Sequence, residues 1–557
     1  MKKALSLILL LAGMILLLDN RAVQSASQAG STTRVSIKTG GAQGNGDSLA
    51  ADVSADGRYV VFESRASNLV DGDTNGAGDI FVHDRVTGVT ERASVSSSGE
   101  QGNFGSFAPA ISDDGRIIVF ASWSTNLVSG DSNNVADVFA HDRVTHKTEL
   151  VSMVLGGSAN DVSTDPDVSG DGRYVTFWSY ASNLVGGDSN NAADVFRFDR
   201  QDKVMIRASV GATGNQSNGE SSHPAISADG QRIAFESAAS NLVSGDGNNY
   251  KDIFLRDITS GAGGGNTHRV SVSSSGLEAN GDSFSPAISG DGLTVAFSSF
   301  AANLVPSDNN GYPDVFIRQW QAGVTERVSV SSNGAEANNW CEAATLSADG
   351  RYVSFQSQAS TLAAGDGNNV KDIFVRDRTA GTTTLISTDS NGAPGSNESQ
   401  APAMAGQGRF VVFHSSATNL IPGDSNSAVD VFIHDRTGPP TLTVNFADGA
   451  PGSEFAFSGS LYTPNTLAII SVNTVSLTAV SADSNGNLAF RLSTTSGNQE
   501  GGYIITVVQG YETMVARITL TAAAPVRPPT GSGPVFPIPT SVTAFTEHLY
   551  LPLAFKN

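Results

Sequence analysis

The chain has 557 residues, which is too long for one hydrophobic core and predicts several domains. Its net charge is −21, with 33 Lys and Arg against 54 Asp and Glu. This balance argues against nucleic acid or an anionic membrane surface as the main partner, because both require a basic footprint. Many Gly residues and short runs of Val, Ile and Phe predict a β-rich chain with almost no helix. The single Cys can form neither an internal disulfide nor a multi-cysteine metal site.

The N-terminus has the three parts of a secretory signal peptide. Met1, Lys2 and Lys3 precede the apolar residues 4–18, and small and polar residues follow to position 30. We therefore expect a signal peptide over residues 1–29 and a secreted, extracellular or cell-surface protein, periplasmic in an organism with an outer membrane. The alternative is an uncleaved anchor, but the apolar run is shorter than the ~20 residues that a membrane span needs. We expect no transmembrane span in the mature chain.

A repeat of about 58 residues governs the chain from residue 32 to residue 437. Its most regular mark is an Asp-Gly pair, which becomes Gln407-Gly408 in the seventh copy. Successive copies are 58, 57, 58, 62, 58 and 58 residues apart. The Asp-Gly pairs begin at Asp56, Asp114, Asp171, Asp229, Asp291 and Asp349. A unit copied in this way cannot bury its apolar face alone, so the copies must stack or form a ring.

Each copy contains four short β-rich segments. Asp-Gly between the first two predicts a hairpin because both central positions of the tight turn favour residues that tolerate positive φ. The region from Asp84 to Gly88, with its copies, predicts a second hairpin. We therefore predict an all-β fold with a seven-bladed β-propeller, since a sandwich needs no such period and a solenoid needs capping ends. Residues 34–37 match the fourth strand that the seventh copy lacks, so this N-terminal strand is predicted to complete the last blade.

The pattern Ser-x-Asp-Gly-Arg-Tyr-Val-x-Phe carries a family resemblance. It stands at residues 54–62, 169–177 and 347–355, and an Asp-Ile/Val-Phe strand follows each copy. It resembles the WD40-like (PD40-type) repeats of the TolB family across the whole array. The resemblance implies the propeller fold and leaves the activity open, because propellers host many functions. We do not expect the extra domain that precedes the propeller of the Tol protein, and its envelope partners are not carried over.

The period ends after Thr437, where Pro439 and Pro440 begin a different segment. Short β-rich runs between residues 441 and 520 resemble a bacterial immunoglobulin-like domain and predict an immunoglobulin-like β-sandwich over 439–524. Residues 525–540 predict a Pro-rich linker. The apolar tail at 541–557 is too short to span a bilayer. It is interpreted either as a tag for envelope or cell-surface association or as a strand that packs back on the sandwich.

Every copy also contains an Asp/Asn loop, which is an Asp, an Asn two positions later and an Asp six positions later. Alternating oxygen-bearing side chains of a tight loop converge on one centre, which is how hard cations such as Ca²⁺ are bound. In the first copy Asp71 adds a carboxylate, and the loop resembles those of integrin-type propellers and the first half of an EF-hand. We expect structural Ca²⁺ as a cofactor; the alternative is that these side chains only cap turns. The predicted metal ligands are Asp71, Asp73, Asn75, Asp79, Asp131, Asn133, Asp137, Asp188, Asn190, Asp194, Asp246, Asn248, Asp252, Asp308, Asn310, Asp314, Asp366, Asn368, Asp372, Asp424, Asn426 and Asp430.

A second recurring pair is an Asn with a Ser just before the predicted innermost strand. These residues are expected at one mouth of the central channel, either as a ligand site or as hydrogen bonds between blades. They are Asn45, Asn103, Asn160, Asn218, Asn280 and Asn338, with Ser48, Ser106, Ser163, Ser221, Ser283 and Ser399. Cys341 takes the Ser position in the sixth copy beside Trp340 and Glu342. It is interpreted as a buried inert thiol or as the mark of an asymmetric site.

The sequence contains no catalytic motif that we recognise. His83, His141 and His434 share one strand position that other copies fill with Phe or Arg, which is typical of a structural site. His223 and His268 have no acidic partner at motif spacing. We predict a binding or scaffolding module for a protein or carbohydrate ligand, with no nucleic acid partner and no catalytic residue. The alternative is an extracellular propeller hydrolase or lyase acting on polysaccharide or peptide, and a carboxylate or His cluster at the channel mouth would favour it.

Overall fold

The structure is a computed structural model that describes residues 30–154, 157–258, 265–437, 441–460, 462, 467–483, 486–509, 512–528 and 530–545. The predicted signal peptide over 1–29 and residues 546–557 of the predicted tail lie outside the described residues. The described part of the chain contains no helix with the length and apolar character that a bilayer crossing requires. Two compact units are present, one within Ala29–Arg436 and the other within Thr437–Asn557.

The first unit contains seven four-stranded antiparallel sheets, which we call blades 1 to 7. The N-terminal strand is β1 (Ser31–Arg34). Blade 1 comprises β2 (Ser48–Val53), β3 (Tyr59–Ser64), β4 (Asp79–Asp84) and β5 (Val89–Arg92); blade 2 comprises β6 (Ser106–Ile111), β7 (Ile117–Ser122), β8 (Asp137–Asp142) and β9 (Lys147–Leu150). A short hairpin, β10 (Met153–Val154) and β11 (Gly157–Ser158), follows. Blade 3 comprises β12 (Ser163–Val168), β13 (Tyr174–Ser179), β14 (Asp194–Asp199) and β15 (Val204–Arg207); blade 4 comprises β16 (Ser221–Ile226), β17 (Arg232–Ser237), β18 (Asp252–Asp257) and β19 (Asn266–Arg269). Blade 5 comprises β20 (Ser283–Ile288), β21 (Thr294–Ser299), β22 (Asp314–Gln319) and β23 (Val324–Arg327); blade 6 comprises β24 (Cys341–Leu346), β25 (Tyr352–Ser357), β26 (Asp372–Asp377) and β27 (Thr382–Leu385); blade 7 comprises β28 (Ser399–Met404), β29 (Phe410–Ser415), β30 (Asp430–Asp435) and β1.

The blades are arranged as a ring around their first strands. Each first strand contacts the first strands of the two neighbouring blades, and β28 of blade 7 contacts β2 of blade 1. The first strands are therefore innermost, and the predicted β-propeller is confirmed. Closure comes from β1, which pairs antiparallel with β30 from Ser31 opposite Asp435 to Arg34 opposite Phe432.

The closing strand differs from its predicted bounds. Residues 34–37 were expected to form it, but the pairing ends at Arg34, and Ile37 instead forms an isolated bridge with Gln43. The fourth strand of blade 1 likewise ends at an arginine, Arg92. Beyond this position the chain leaves the sheet and becomes the linker to the next blade.

A pair of phenylalanines forms the centre of each blade. Phe62 on β3 lies opposite Phe81 on β4, both are fully buried, and their ring centroids are 6.0 Å apart. The other six blades repeat this stacked pair with separations of 5.8–6.0 Å. Burial of each large side chain contributes about 1.5–3 kcal/mol, so the repeated pair is a main source of blade stability.

The Asp-Gly hairpins also hold adjacent blades together. Gly115 has φ +71°, and a Cβ atom there would lie 2.1 Å from Cδ2 of Tyr59 on the preceding blade. Asp114 accepts hydrogen bonds at Oδ1 from the Ser112 hydroxyl (2.6 Å) and the Arg116 amide (2.9 Å). Glycine is needed at this position for its backbone conformation and for the close approach.

The second unit is a β-sandwich of two sheets. One sheet contains β31 (Thr441–Val444), β33 (Glu454–Ser460), β36 (Leu488–Ser493) and β39 (Val535–Pro537); the other contains β32 (Asp448–Gly449), β38 (Glu512–Leu520), β37 (Gly501–Gln509), β34 (Leu467–Val472) and β35 (Val475–Ser481). Phe455 and Phe490 from the first sheet share one buried core with Tyr503 and Ile518 from the second.

The predicted Pro-rich linker at 525–540 is part of this sandwich. Its strand β39 pairs parallel with β36, and its Ile538 enters the core, as does Val542 at the start of the predicted tail. Phe545 then forms a bridge with Gly502. The sandwich therefore extends past the predicted boundary at residue 524, and the start of the tail packs back on it.

Candidate functional site

The Asp/Asn loops fasten each blade to the linker that follows it. In blade 1, Asn75 Nδ2 donates hydrogen bonds to Asp79 Oδ2 (3.2 Å) and to the carbonyl of Gly102 in the linker (3.0 Å). Asn75 Oδ1 accepts from the Ala77 amide (2.9 Å), and the Ser94 hydroxyl donates to Asp79 Oδ1 (2.7 Å). The bond from the loop Asn to the linker carbonyl recurs in the other six blades. This geometry supports the turn-capping role considered from the sequence.

In five blades an arginine lies against the two loop carboxylates. Arg92 is 3.6 Å from Asp73 and 3.5 Å from Asp79 in blade 1. The equivalent arginines in the other four blades are Arg207, Arg269, Arg327 and Arg34. The guanidinium supplies the positive charge that a bound cation would otherwise supply. Asp71, which was predicted to complete the first loop, instead has a 94% exposed side chain paired with Lys38.

Blades 2 and 6 have leucine in place of this arginine. Leu150 pairs with Phe139 and Leu385 with Phe374, the register that Arg92 has with Phe81. Burial and the charge of neighbouring Asp131 together raise the pKa of Asp137 to about 7. Burial and the adjacent Asp372 raise the pKa of Asp366 to about 6. The loop carboxylates of these two blades therefore lack the neutralising group that the other five possess.

The recurring Asn and Ser residues hold the linker and the inner strand within one blade. Asn103 Nδ2 donates to Thr125 Oγ1 (3.0 Å), and the Asn103 amide donates to Asn126 Oδ1 (3.0 Å). The Ser106 hydroxyl donates to that of Ser122 (2.9 Å). In blade 6, fully buried Cys341 takes the place of this Ser, and burial raises its thiol pKa well above the usual range. The thiol is therefore protonated and has a packing role.

The inner strands share a β-bulge that shapes the channel. Each first strand shifts register against the second strand near its third residue. The bulge residue has positive φ in all seven blades: Ala50, Ala108, Asp165, His223, Ser285, Ala343 and Ala401. Non-glycine residues adopt this conformation at an energetic cost, and such strain concentrates at functional sites. Blades 3, 4 and 5 replace the alanine with polar side chains at this position.

These polar residues form a charged cluster across neighbouring blades. His223 Nε2 is 3.7 Å from Asp165 Oδ2, and His223 Nδ1 is 3.3 Å from Glu236 Oε1. Glu236 also accepts hydrogen bonds from Lys251 Nζ (3.2 Å) and from the Ser285 amide of blade 5 (3.1 Å). We call Asp165, His223, Glu236 and Lys251 the mouth cluster.

The carboxylates of the mouth cluster favour the charged form of its histidine. The hydrogen bond to Glu236 raises the pKa of His223 above its usual value, and the charge of Asp165 acts in the same direction. Burial acts to raise the pKa of Glu236, but His223 and its other hydrogen-bond partners lower it to about 2. The two carboxylates therefore favour the imidazolium form of His223 more than water does for a free histidine.

Exposed aromatic side chains stand at the same end of the blades. Trp123, Tyr180 and Phe300 directly follow second strands, and Phe104 and Trp340 precede first strands. Their exposed fractions are 39–55%. Trp178 connects this group to the cluster, because its Nε1 donates to Asp165 Oδ2 (2.8 Å) and its ring contacts Tyr180 edge-on. We call Phe104, Trp123, Tyr180, Phe300 and Trp340 the aromatic rim.

Two acidic residues lie further along the inner strands. Asp52 Oδ2 accepts from the Ile111 amide (2.9 Å) of the next blade, and Asp167 Oδ2 accepts from the Ile226 amide (2.8 Å). Burial raises their pKa values to about 6 and about 7, respectively. These side chains therefore join adjacent blades, and the charge of Asp52 opposes ionisation of Asp167.

Sequence reasoning missed both the arginines and the mouth cluster. His223 was considered to lack an acidic partner at motif spacing, whereas Asp165 and Glu236 reach it from another blade and another strand. The available signal was the replacement of alanine at the bulge position. The structural interpretation of His83, His141 and His434 agrees with their burial and their hydrogen bonds to threonine hydroxyls.

No protein-family model and no curated protein sequence matches the chain. Among solved structures it is similar to a protein assigned as TolB from Agrobacterium tumefaciens, at 16% identity and a TM-score of 0.32, over 51% of this chain and 80% of the other. It is also similar to the β-propeller domain of Cps50 (Swd1) from Myceliophteria thermophila, at 9% identity and a TM-score of 0.38, over 72% and 98% of the two chains. The periplasmic gluconolactonase PpgL of Pseudomonas aeruginosa gives 16% identity and a TM-score of 0.30, over 61% and 84%. These likenesses are too distant to assign an activity to this chain.

Proposed function

We propose that the chain is a secreted or cell-surface, TolB-like β-propeller that acts as a binding module, with its ligand site at the channel mouth. The observation that carries the proposal is the mouth cluster, which places charged groups at a bulge position where four blades have alanine. The repeat itself does not require this change, since the blades with alanine have the same fold. Convergent polar groups among apolar and aromatic side chains are a general feature of ligand sites.

A carbohydrate is the ligand that this mouth suits best. The aromatic rim offers exposed faces, and amphipathic aromatic side chains supply large contact area with a polar edge. The carboxylates of Asp165 and Glu236 accept hydrogen bonds from hydroxyl groups, and the His223 imidazolium donates one. Hydrogen bonds with charged partners contribute about 1.5–3 kcal/mol each, so the cluster can determine affinity.

Tryptophan fluorescence tests this proposal. Three of the four tryptophans, Trp123, Trp178 and Trp340, are at the mouth, whereas Trp320 donates to the carbonyl of Gly292 at a hairpin. A Trp320→Phe background therefore reports on the mouth alone. Titration with neutral and acidic polysaccharides should identify a ligand that changes the emission.

The matched variants are His223→Ala and His268→Ala in that background. His268 is outside the mouth cluster and packs against residue 320. We expect His223→Ala to weaken binding by about 10-fold or more, which corresponds to ~1.4 kcal/mol, and His268→Ala to leave it unchanged. Affinity of the parent should also fall as pH rises through the raised pKa of His223, because the charged imidazole is lost. Equal affinities for the two variants would contradict the proposed site.

The second candidate is an extracellular hydrolase or lyase that acts on polysaccharide or peptide at the same mouth. A histidine between two carboxylates favours it, because the protonated form of such a group can serve as a general acid. The test is to incubate the chain with each bound polymer and measure new reducing ends, unsaturated products or new amino termini. Turnover that is lost in Glu236→Gln would support the enzyme, and binding without product would support the binding module.

A further inference from the structure

The loop of blade 2 lacks the arginine that five loops carry, and it also lacks the glutamine that three of those five, in blades 1, 3 and 7, place beside the first carboxylate. In blade 3, Arg207 lies 3.4 Å from Asp188, and Gln216 Nε2 donates to both Asp188 (2.7 Å) and Asp194 (3.2 Å). In blade 2 the arginine position is Leu150 and the glutamine position is Ser158. The first replacement removes a guanidinium that forms ion pairs with the carboxylates, and the second removes an amide that donates hydrogen bonds to both of them. Neither Leu150 nor the short Ser158 side chain can supply the lost positive charge.

One carboxylate oxygen of this loop has no partner. Asp131 is only 9% exposed, and its Oδ1 is buried with no hydrogen-bond partner among the described residues. Asp131 lies within hydrogen-bonding reach of Asp137, which is fully buried. Asn133 Nδ2 donates its two hydrogens to Asp137 Oδ2 (2.6 Å) and to the Ala159 carbonyl (2.8 Å), so none is left for Asp131 Oδ1. A buried ionised oxygen without a partner is costly unless a proton or a cation reaches it.

We propose that the blade 2 loop binds one Ca²⁺ ion between the carboxylates of Asp131 and Asp137. The two carboxylates supply an all-oxygen environment, which hard cations prefer, and backbone carbonyls or water complete the coordination. The ion occupies the role that the arginine has in the other loops, so the predicted calcium chemistry is retained in this blade. Blade 6 also lacks the arginine, but Asp366 is more exposed and has no orphaned buried oxygen.

Equilibrium dialysis with calcium alone tests the proposal on the full mature chain. We expect about one high-affinity Ca²⁺ per parent chain and none in Leu150→Arg, which recreates the arginine present in five other blades. Asp131→Asn should also lose the ion while keeping the loop volume. The matched control is Leu385→Arg in blade 6, which should keep the bound Ca²⁺.

A gain-of-site variant keeps the test independent of folding defects. Arg207→Leu with Gln216→Ser gives blade 3 the pattern of blade 2 and should raise the stoichiometry to about two ions per chain. The parent should also show a calcium-dependent rise in Tm that Leu150→Arg lacks, because an ion that binds only the folded state stabilises it. A parent that binds no Ca²⁺, an unchanged stoichiometry in Leu150→Arg, or a loss confined to Leu385→Arg would each overturn the assignment.

Discussion

The body of each blade repeats the same residues, whereas the mouth of the channel does not. In the body, seven stacked phenylalanine pairs recur at nearly the same distance, and each loop Asn makes the same bond to its linker. At the mouth, the bulge backbone is kept while its side chain changes from alanine to Asp165, His223 or Ser285. Repetition therefore marks the residues that every blade needs in order to fold. Departure from the repeat, at a position whose backbone is unchanged, marks the residues free to acquire a function.

Removal of the closing strand should have the largest effect on the body. A chain that begins at Lys38 lacks β1, the Arg34 ion pair with Asp430 and the Ser36 hydroxyl that donates to Asp430 Oδ1. We expect a loss of at least about 5 kcal/mol in the free energy of unfolding, because a buried carboxylate and the edge of β30 are left unpaired. Urea denaturation of this chain and of one beginning at Gly30 measures the effect. Equal unfolding midpoints would show that the ring does not depend on β1.

A substitution in the core of a blade should have a somewhat smaller effect on stability. Comparing it with a substitution at the mouth distinguishes the two regions. Phe254 is fully buried and stacks on Phe235 at 5.9 Å, whereas Phe104 of the aromatic rim is 55% exposed. We expect Phe254→Ala to cost about 3–5 kcal/mol and Phe104→Ala to change stability by less than about 0.5 kcal/mol. Calorimetry on both variants gives the comparison. A large loss in Phe104→Ala would mean that the rim is part of the core.

The pH dependence of stability should reveal the inner-strand carboxylates. Burial raises the pKa of Asp167 from 3.8 to about 7, so the folded chain keeps a proton that the unfolded chain releases. Stability must therefore fall as pH rises from about 4 to 7. Asp167→Asn should remove this loss and stabilise the chain by about 1 kcal/mol at pH 7, with little change at pH 4. Parallel curves of Tm against pH for the parent and the variant would disprove the assignment.

The smallest effect on stability is expected at the mouth cluster. The side chain of His223 is 53% exposed, so its ion pairs contribute less than about 1 kcal/mol. Because its pKa is raised, this contribution is present below pH 6.5 and is lost as pH rises through the raised value. His223→Gln should thus melt within about 2 °C of the parent at pH 8. A large destabilisation at that pH would place His223 with the structural residues of the body.

Much of the fold could be predicted because the signals are local and are repeated. Asp-Gly turns and alternating short strands fix each blade, and seven copies favour a ring. The limits of β1 were misplaced because register depends on its partner β30, which lies about 400 residues away in the sequence. The segment at 525–540 was interpreted as a linker from its proline content, although Ile538 is buried in the sandwich core. Composition alone does not show which apolar residues of a segment become buried in a core.

The candidate sites were predicted less well, because their partners come from different strands. The Asp/Asn loops were found, but the arginine beside them was missed. Arg92 lies 13 positions after Asp79 and on a different strand. Alignment of the copies would have shown that the fourth strand ends in arginine in five blades and in leucine in the other two, at Leu150 and Leu385. The mouth cluster joins Asp165 to His223 across two blades, and only the ring brings those positions together.

The pairing of β1 with β30 has a mechanical consequence. Ser31, at the N-terminal end of the propeller, lies opposite Asp435, at its C-terminal end, so the chain leaves in both directions from the same end of this strand pair. A force applied between the two ends would load the hydrogen bonds one after another, as in unzipping, and would not shear them together. Since a single hydrogen bond contributes only about 0.5–1.5 kcal/mol, each step would be easily broken. The pairing of β1 with β30 is thus the contact that tension breaks most easily, and stretching should release β1 before the other three strands of blade 7 and the remaining blades unfold.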